Sequence, residues 1–194
     1  MTFDIKRQET FSRGELILRT LFGWLYIVIP HTFILLFLAI WGAILSFISW
    51  WVVLFTARYP QSFFEYQVKL LRWQWRLNAV TYNLCDGYPP FGLDSELEGI
   101  TFDVEYPETL SRGTLLLRLF FGFFYILIPH GFILYFRMLW SFILMFLAWW
   151  AVLFTGEYPA SWHEFNVGTF RWATRVNLYW SFMTDEYPPF SGKP

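Results

Sequence analysis

Cysteine is almost missing from this chain. Its 194 residues hold one, Cys85, which rules out an intrachain disulfide framework. The matching position in the second half is Thr184, so the thiol reads as incidental. Charge is also scarce. Charged residues make up 15% of the chain, against about 25% in ordinary soluble domains. The net charge of −1 offers no basic surface of the kind that binds nucleic acid. No serine-nucleophile motif, Gly-rich phosphate loop or clustered Cys/His set is present, so no enzymatic activity and no cofactor are expected. The carboxylates lie outside the apolar runs. That argues against a proton relay or an ion-coupled carrier, which place acids within the spans.

What the chain has in abundance is apolar and aromatic side chains, 56% and 24% of residues, with a mean hydropathy of +0.39. Leu16 to Phe55 carries one charge, Arg19, and has Ile29-Pro30-His31 in its middle. A matching block runs from Leu115 to Phe154, around Ile128-Pro129-His130. Runs of this length point to an integral membrane protein. Twelve Trp and eleven Tyr suit the two bilayer interfaces. The first apolar run is too long for a cleaved leader, and its flank recurs inside the chain, so no leader is expected.

The two blocks belong to a longer repeat. Residues 2–91 align with 101–190 at a constant offset of 99, with about half the positions identical. TFD, SRG, IPH, VLFT, RWxxR and YPPF all recur. Residues 92–100, GLDSELEGI, read as an acidic linker. The expected organisation is a first membrane repeat over 1–91, the linker, and a second repeat over 101–194.

The second half ends its apolar block on FTGEYP (154–159), continues with RWATRV (171–176) and closes on TDEYPPF (184–190); the first half has FTARYP, RWQWRL and CDGYPPF, departing at Ala57, Leu77 and Cys85. This set resembles the bacterial integral-membrane family catalogued as domain of unknown function 4389, and the likeness covers both repeats. It implies a bacterial inner-membrane protein and supplies no activity.

Within one repeat, the first ten residues are polar and suit an extended or surface segment. Ser12 to Glu15 fits a helix-starting capping box, of which the second copy keeps Ser111. Leu16 to Ile29 is about 21 Å of helix, short for a core of about 30 Å, with Arg19 placed to snorkel. Pro30 is expected to end or sharply kink it, and Phe33 to Phe55 is long enough to span. Two arrangements compete, a transmembrane hairpin turning at Pro30-His31 and a single span with the first helix in an interface. The hairpin puts every basic residue except Arg137 on one side, which favours it and places both termini in the cytoplasm. Ser62-x-x-Glu65 and Ser161-x-x-Glu164 suggest a second capping box. The helices after them, about 62–84 and 161–183, are amphipathic and suit the headgroup layer. The expected fold is therefore all-α: two tandem repeats, each a transmembrane helical hairpin (short first helix, Pro-His turn, full-length second helix) followed by an interfacial amphipathic helix.

Candidate contacts to anionic headgroups or a partner are Arg72, Trp73 and Arg76, and in the second copy Arg171, Trp172 and Arg175, since guanidinium groups pair with phosphate. The bland alternative is an anchored helix whose arginines pair with Glu65 and Glu164 or with Asp86 and Asp185. Arg137 joins the candidates as a charge within a span; its counterpart is Leu38. His31 and His130 read as polar turn residues, and His163 as an interfacial one. The functional expectation is a non-catalytic scaffold or accessory subunit of a larger bacterial inner-membrane assembly, with membrane lipids and other membrane subunits as partners. The alternatives are lipid binding with membrane remodelling, or a small transporter with its site between the repeats.

Overall fold

The computed structural model describes all 194 residues. Strand β1 (Thr2–Ile5) leads to a long helix α1 (Arg13–Thr56), then α2 (Gln61–Thr81), strand β2 (Ile100–Asp103), a second long helix α3 (Arg112–Thr155) and α4 (Ala160–Trp180). The two strands form a two-stranded antiparallel sheet with Phe3 opposite Phe102. The polar leader of each repeat is thus extended, as its composition suggests.

The expected hairpin at Pro30-His31 is not what forms. Each apolar block is one helix of 44 residues, continuous through the proline, and about 66 Å long along its path. Just before the proline lies a five-residue π-helical segment, Trp24–Val28 in one copy and Phe123–Leu127 in the other. In the α pattern Pro30 would leave the Tyr26 carbonyl without a donor. The Tyr88 hydroxyl donates to that carbonyl at 3.2 Å, and Tyr187 serves Tyr125 at 2.9 Å. A hydroxyl from a neighbouring segment thus lets a helix carry a proline in its interior, the same remedy found within membranes.

The long helices meet near their ends, the first turns of α1 against the last of α3 and the reverse. The ends are fastened reciprocally. Arg13 donates to the Phe154 carbonyl at 3.0 Å and Arg112 to the Phe55 carbonyl at 2.7 Å, each guanidinium capping the carbonyl end of the other helix. Each long helix stops on a left-handed residue, Ala57 (φ 59°) or Gly156 (φ 79°), as helix ends often do.

Helices α2 and α4 lie between the long helices and the strands. They pack into the core of the molecule, so most of each helix is engaged inside the chain. Phe170 packs on Trp75 and Tyr82 at 5.4 and 5.3 Å, and twelve residues of α4 are buried. Their N-caps are Pro60 and Pro159, without a side-chain cap, so Ser62 and Ser161 do not start these helices. Ser12 and Ser111 do cap α1 and α3. Glu15, however, turns to Arg19 and to the Gly87 amide, not back to Ser12.

All but five of the exposed large hydrophobic residues lie on α1 and α3; the five are Tyr88, Phe91, Trp180, Tyr187 and Phe190. Both long helices are long and apolar enough to cross a membrane.

Candidate functional site

Three of the recurring motifs converge on one histidine in each repeat. His31 is fully buried. The Trp73 indole N–H donates to His31 Nδ1 at 2.8 Å. Phe91 stacks on the imidazole at 3.9 Å and 7°, and Tyr88 packs at 5.5 Å while its hydroxyl holds Tyr26. The second repeat matches: Trp172 to His130 Nδ1 at 3.0 Å, Phe190 stacked at 3.9 Å and 8°, Tyr187 at 5.3 Å. IPH, RW and YPPF are therefore parts of one aromatic lock beside the π-helical segment. The histidines are core residues, which corrects their reading as turn residues. Because the indole donates to Nδ1, the ring proton sits on Nε2, and the imidazole offers no lone pair to a metal while that bond stands. His130 Nε2 reaches no acceptor.

A second constellation surrounds the arginine of the first helical turns. Arg19 does not snorkel. It is 7% exposed and donates to Asp86 Oδ1 at 2.7 Å, Asn83 at 3.0 Å and Glu15 at 3.3 Å. Asp86 Oδ2 accepts the Ser12 amide at 2.6 Å. In the second repeat Arg118 is buried against Asp185, donates to the Tyr179 carbonyl at 2.6 Å and lies 3.9 Å over the Tyr179 ring. The aspartate that precedes YPPF is thus the counterion of an arginine about seventy residues upstream.

The arginines of RWxxR find other partners. Arg72 donates to the Phe102 carbonyl at 2.8 Å and to Asp103 at 2.7 Å. Arg171 serves the Phe3 carbonyl at 2.8 Å and Asp4 at 3.1 Å. Each arginine holds the TFD strand that begins the other repeat, so the repeats exchange strands across the molecule. Arg76 is buried on the Gly92 and Ser95 carbonyls, and Arg175 reaches the Lys193 carbonyl at 2.8 Å. The acidic segment 92–100 therefore lies docked along α2, where Lys69 also meets Asp94 at 2.5 Å. None of the four arginines pairs with Glu65, Glu164, Asp86 or Asp185.

Of the seven candidate contacts, Trp73, Arg76, Arg171 and Trp172 are buried and Arg72 and Arg175 partly so. Arg137 stands apart, donating from Nε to Thr169 at 2.9 Å and lying 4.3 Å over Phe165. YPPF recurs visibly in the chain, but the roles of Tyr88 and Phe91, and of Tyr26 and the counterparts of all three, were not expected from the sequence.

His163 replaces Phe64 of the first repeat and is buried edge-on against Tyr158 at 5.4 Å, as Phe64 is against Tyr59 at 5.7 Å. It is a core residue, not an interfacial one. Burial holds its pKa below the usual histidine value, aided by Arg7 and opposed by the Leu84 carbonyl and Asp4. An unfolded histidine takes up its proton near pH 6.5, before the folded one does. The stabilising contribution is therefore complete above about pH 6.5 and is lost as pH falls through that value toward the depressed folded one. His163→Phe is expected to remove this slope between about pH 7.5 and 5.5, read as the difference in melting temperature from wild type at each pH.

No curated protein and no solved structure matches the chain. The sequence model described as Domain of unknown function (DUF4389) matches residues 15–92 and 112–192. Those limits take in both aromatic locks and both arginine–aspartate pairs, and the chain belongs to this family as two tandem copies.

Proposed function

We propose that this chain is a non-catalytic scaffold or accessory subunit in the bacterial inner membrane, held there by α1 and α3. The observation that carries this reading is the division of the molecule. Exposed Phe, Trp, Ile and Leu side chains run along both long helices, while α2, α4 and the sheet gather on their other side. Monomeric soluble proteins rarely expose a continuous apolar surface beyond a few hundred Å². The polar motifs are engaged inside the chain: the aspartates before YPPF on arginines, both IPH histidines on indoles, and all six RWxxR and SRG arginines on backbone carbonyls. Such groups hold a shape, which supports a structural role.

The apolar length from Leu16 to Phe55 is about 58 Å, nearly twice the hydrocarbon core of about 30 Å. The helices are accommodated by steep tilt, or by lying along the membrane with α2 and α4 toward the headgroups. Trp75 and Tyr82 pack on Phe170 across one part of the boundary between the repeats, which supports a structural role; elsewhere along that boundary Phe47 and Trp50 face Leu119 and Phe182 across an open cleft of about 480 Å³.

The test is alkaline carbonate washing of membranes, followed by mild-detergent purification and mass spectrometry of the intact assembly. Retention in the washed membrane, with a stoichiometric membrane partner, is expected. A chain released by the wash defeats the membrane reading, and one that is retained but always runs alone defeats the scaffold role.

A further inference from the structure

We infer that Arg137 is a receptor for the phosphate of an anionic phospholipid, a site that only the second repeat possesses. The inference rests on the membrane reading above, and its test is arranged to stand apart from it. The cations of the long helices fall into two kinds. Arg19 and Arg118 have aspartate counterions, and Arg13 and Arg112 cap helix ends. Arg137 has neither. Its Nε–H donates to Thr169 Oγ1 at 2.9 Å, and that hydroxyl in turn donates to the Phe165 carbonyl at 2.8 Å. The two terminal nitrogens, with four N–H donors between them, reach no acceptor in the chain and are not sealed from the surface.

The surroundings hold the guanidinium in place. Its carbon lies 4.3 Å from the Phe165 ring centre and 5.9 Å from that of Trp172. A terminal nitrogen lies beside Gly168 and Gly192, where the backbones approach so closely that a Cβ on Gly168 would sit 2.9 Å from the Gly192 carbonyl oxygen. Arg171 pins that carbonyl at 2.7 Å. The matched positions of the first repeat are Leu38, Tyr66, Leu70, Lys69 and Leu93, and there the Tyr66 hydroxyl donates to the Leu38 carbonyl at 2.8 Å. The second repeat thus has a cation where the first has a leucine, an aromatic ring without a hydroxyl beneath it, and two glycines that admit the chain beside it.

The guanidinium has unused donors on its terminal nitrogens, one of them beside the Gly168 and Gly192 backbones, and such donors match the oxygens of a phosphodiester. A cation left unpaired on an otherwise apolar helix is costly unless an anion or water meets it. On a helix that faces lipid, the anion within reach is a headgroup phosphate.

The experiment titrates the full-length protein in neutral detergent with short-chain phosphatidylglycerol, short-chain phosphatidylcholine and inorganic phosphate, following tryptophan fluorescence, since Trp172 adjoins the guanidinium. It needs no bilayer, so failure of membrane insertion leaves its outcome readable. Arg137→Leu installs the first repeat's residue, and its melting curve checks folding; Arg137→Lys keeps the charge without the fork. Phosphatidylglycerol is expected to bind wild type at least tenfold more tightly than Arg137→Leu, with Arg137→Lys between them and phosphatidylcholine weaker throughout. Equal phosphatidylglycerol affinity in wild type and a folded Arg137→Leu overturns the site. Inorganic phosphate binding as tightly as the lipid overturns the lipid as its ligand.

Discussion

Asp185→Ala is expected to lower the stability of the folded chain by about 3–5 kcal/mol, the cost of stripping a buried charge of its counterion. Arg118 is 1% exposed, and without Asp185 it keeps only the Tyr179 carbonyl and the flanking Tyr179 and Phe182 rings. The same substitution frees the Ser111 amide, which Asp185 Oδ2 accepts at 2.5 Å, so the start of α3 loosens as well. Asp86→Ala in the first repeat is expected to cost less, because Arg19 retains Glu15 and Asn83; in the second repeat those positions are Thr114 and Phe182. Thermal unfolding in detergent, followed by circular dichroism, ranks the two. The double variant Arg118→Leu/Asp185→Ala should recover most of the loss, since an apolar replacement for a buried pair is often neutral. A double variant as unstable as Asp185→Ala alone contradicts the pairing.

Trp73→Ala is the other large effect expected, about 3–5 kcal/mol for truncating a buried aromatic. Trp73 is 3% exposed and packs edge-on against both His31 and Phe91. Trp73→Phe separates packing from the hydrogen bond. It keeps most of the volume and leaves His31 Nδ1 without its donor, a loss of about 1–3 kcal/mol for an unsatisfied buried acceptor. Adding His31→Leu should then restore stability, because removing both partners of a buried bond can be close to neutral. A Trp73→Phe variant that melts with wild type shows that the indole proton contributes nothing. Trp172 and His130 provide the same cycle in the second repeat.

Several parts of the architecture were readable from residue order. The duplication at offset 99, the two apolar blocks, the serine caps at Ser12 and Ser111 and the extended TFD leader all follow from composition, spacing and local hydrogen-bonding preference. The path through Pro30 was not readable. A proline in a helical run is a break by local rules, and only the Tyr88 hydroxyl, 62 residues away, removes the reason for the break. The amphipathic stripe of α2 was also visible, but not its use. A basic stripe serves a headgroup layer or a strand equally well by pattern alone, and here Arg72 and Arg171 meet the carbonyls of Phe102 and Phe3.

Residue order alone establishes two copies of one unit, an apolar block of forty residues in each, and which side chains recur. These are matters of composition and period, and every residue carries them locally. What the recurring side chains do follows from packing between distant segments. His31 became a core residue because an indole from α2 and a phenyl ring from the YPPF turn close over it. Arg19 and Arg118 became buried because aspartates about seventy positions downstream return beside them. Arg137 was left with open donors because its side of α4 carries Thr169 and Gly168 and no acid. In each case the deciding partner is far off in the chain, and the energy of a buried polar group depends on whether that partner arrives.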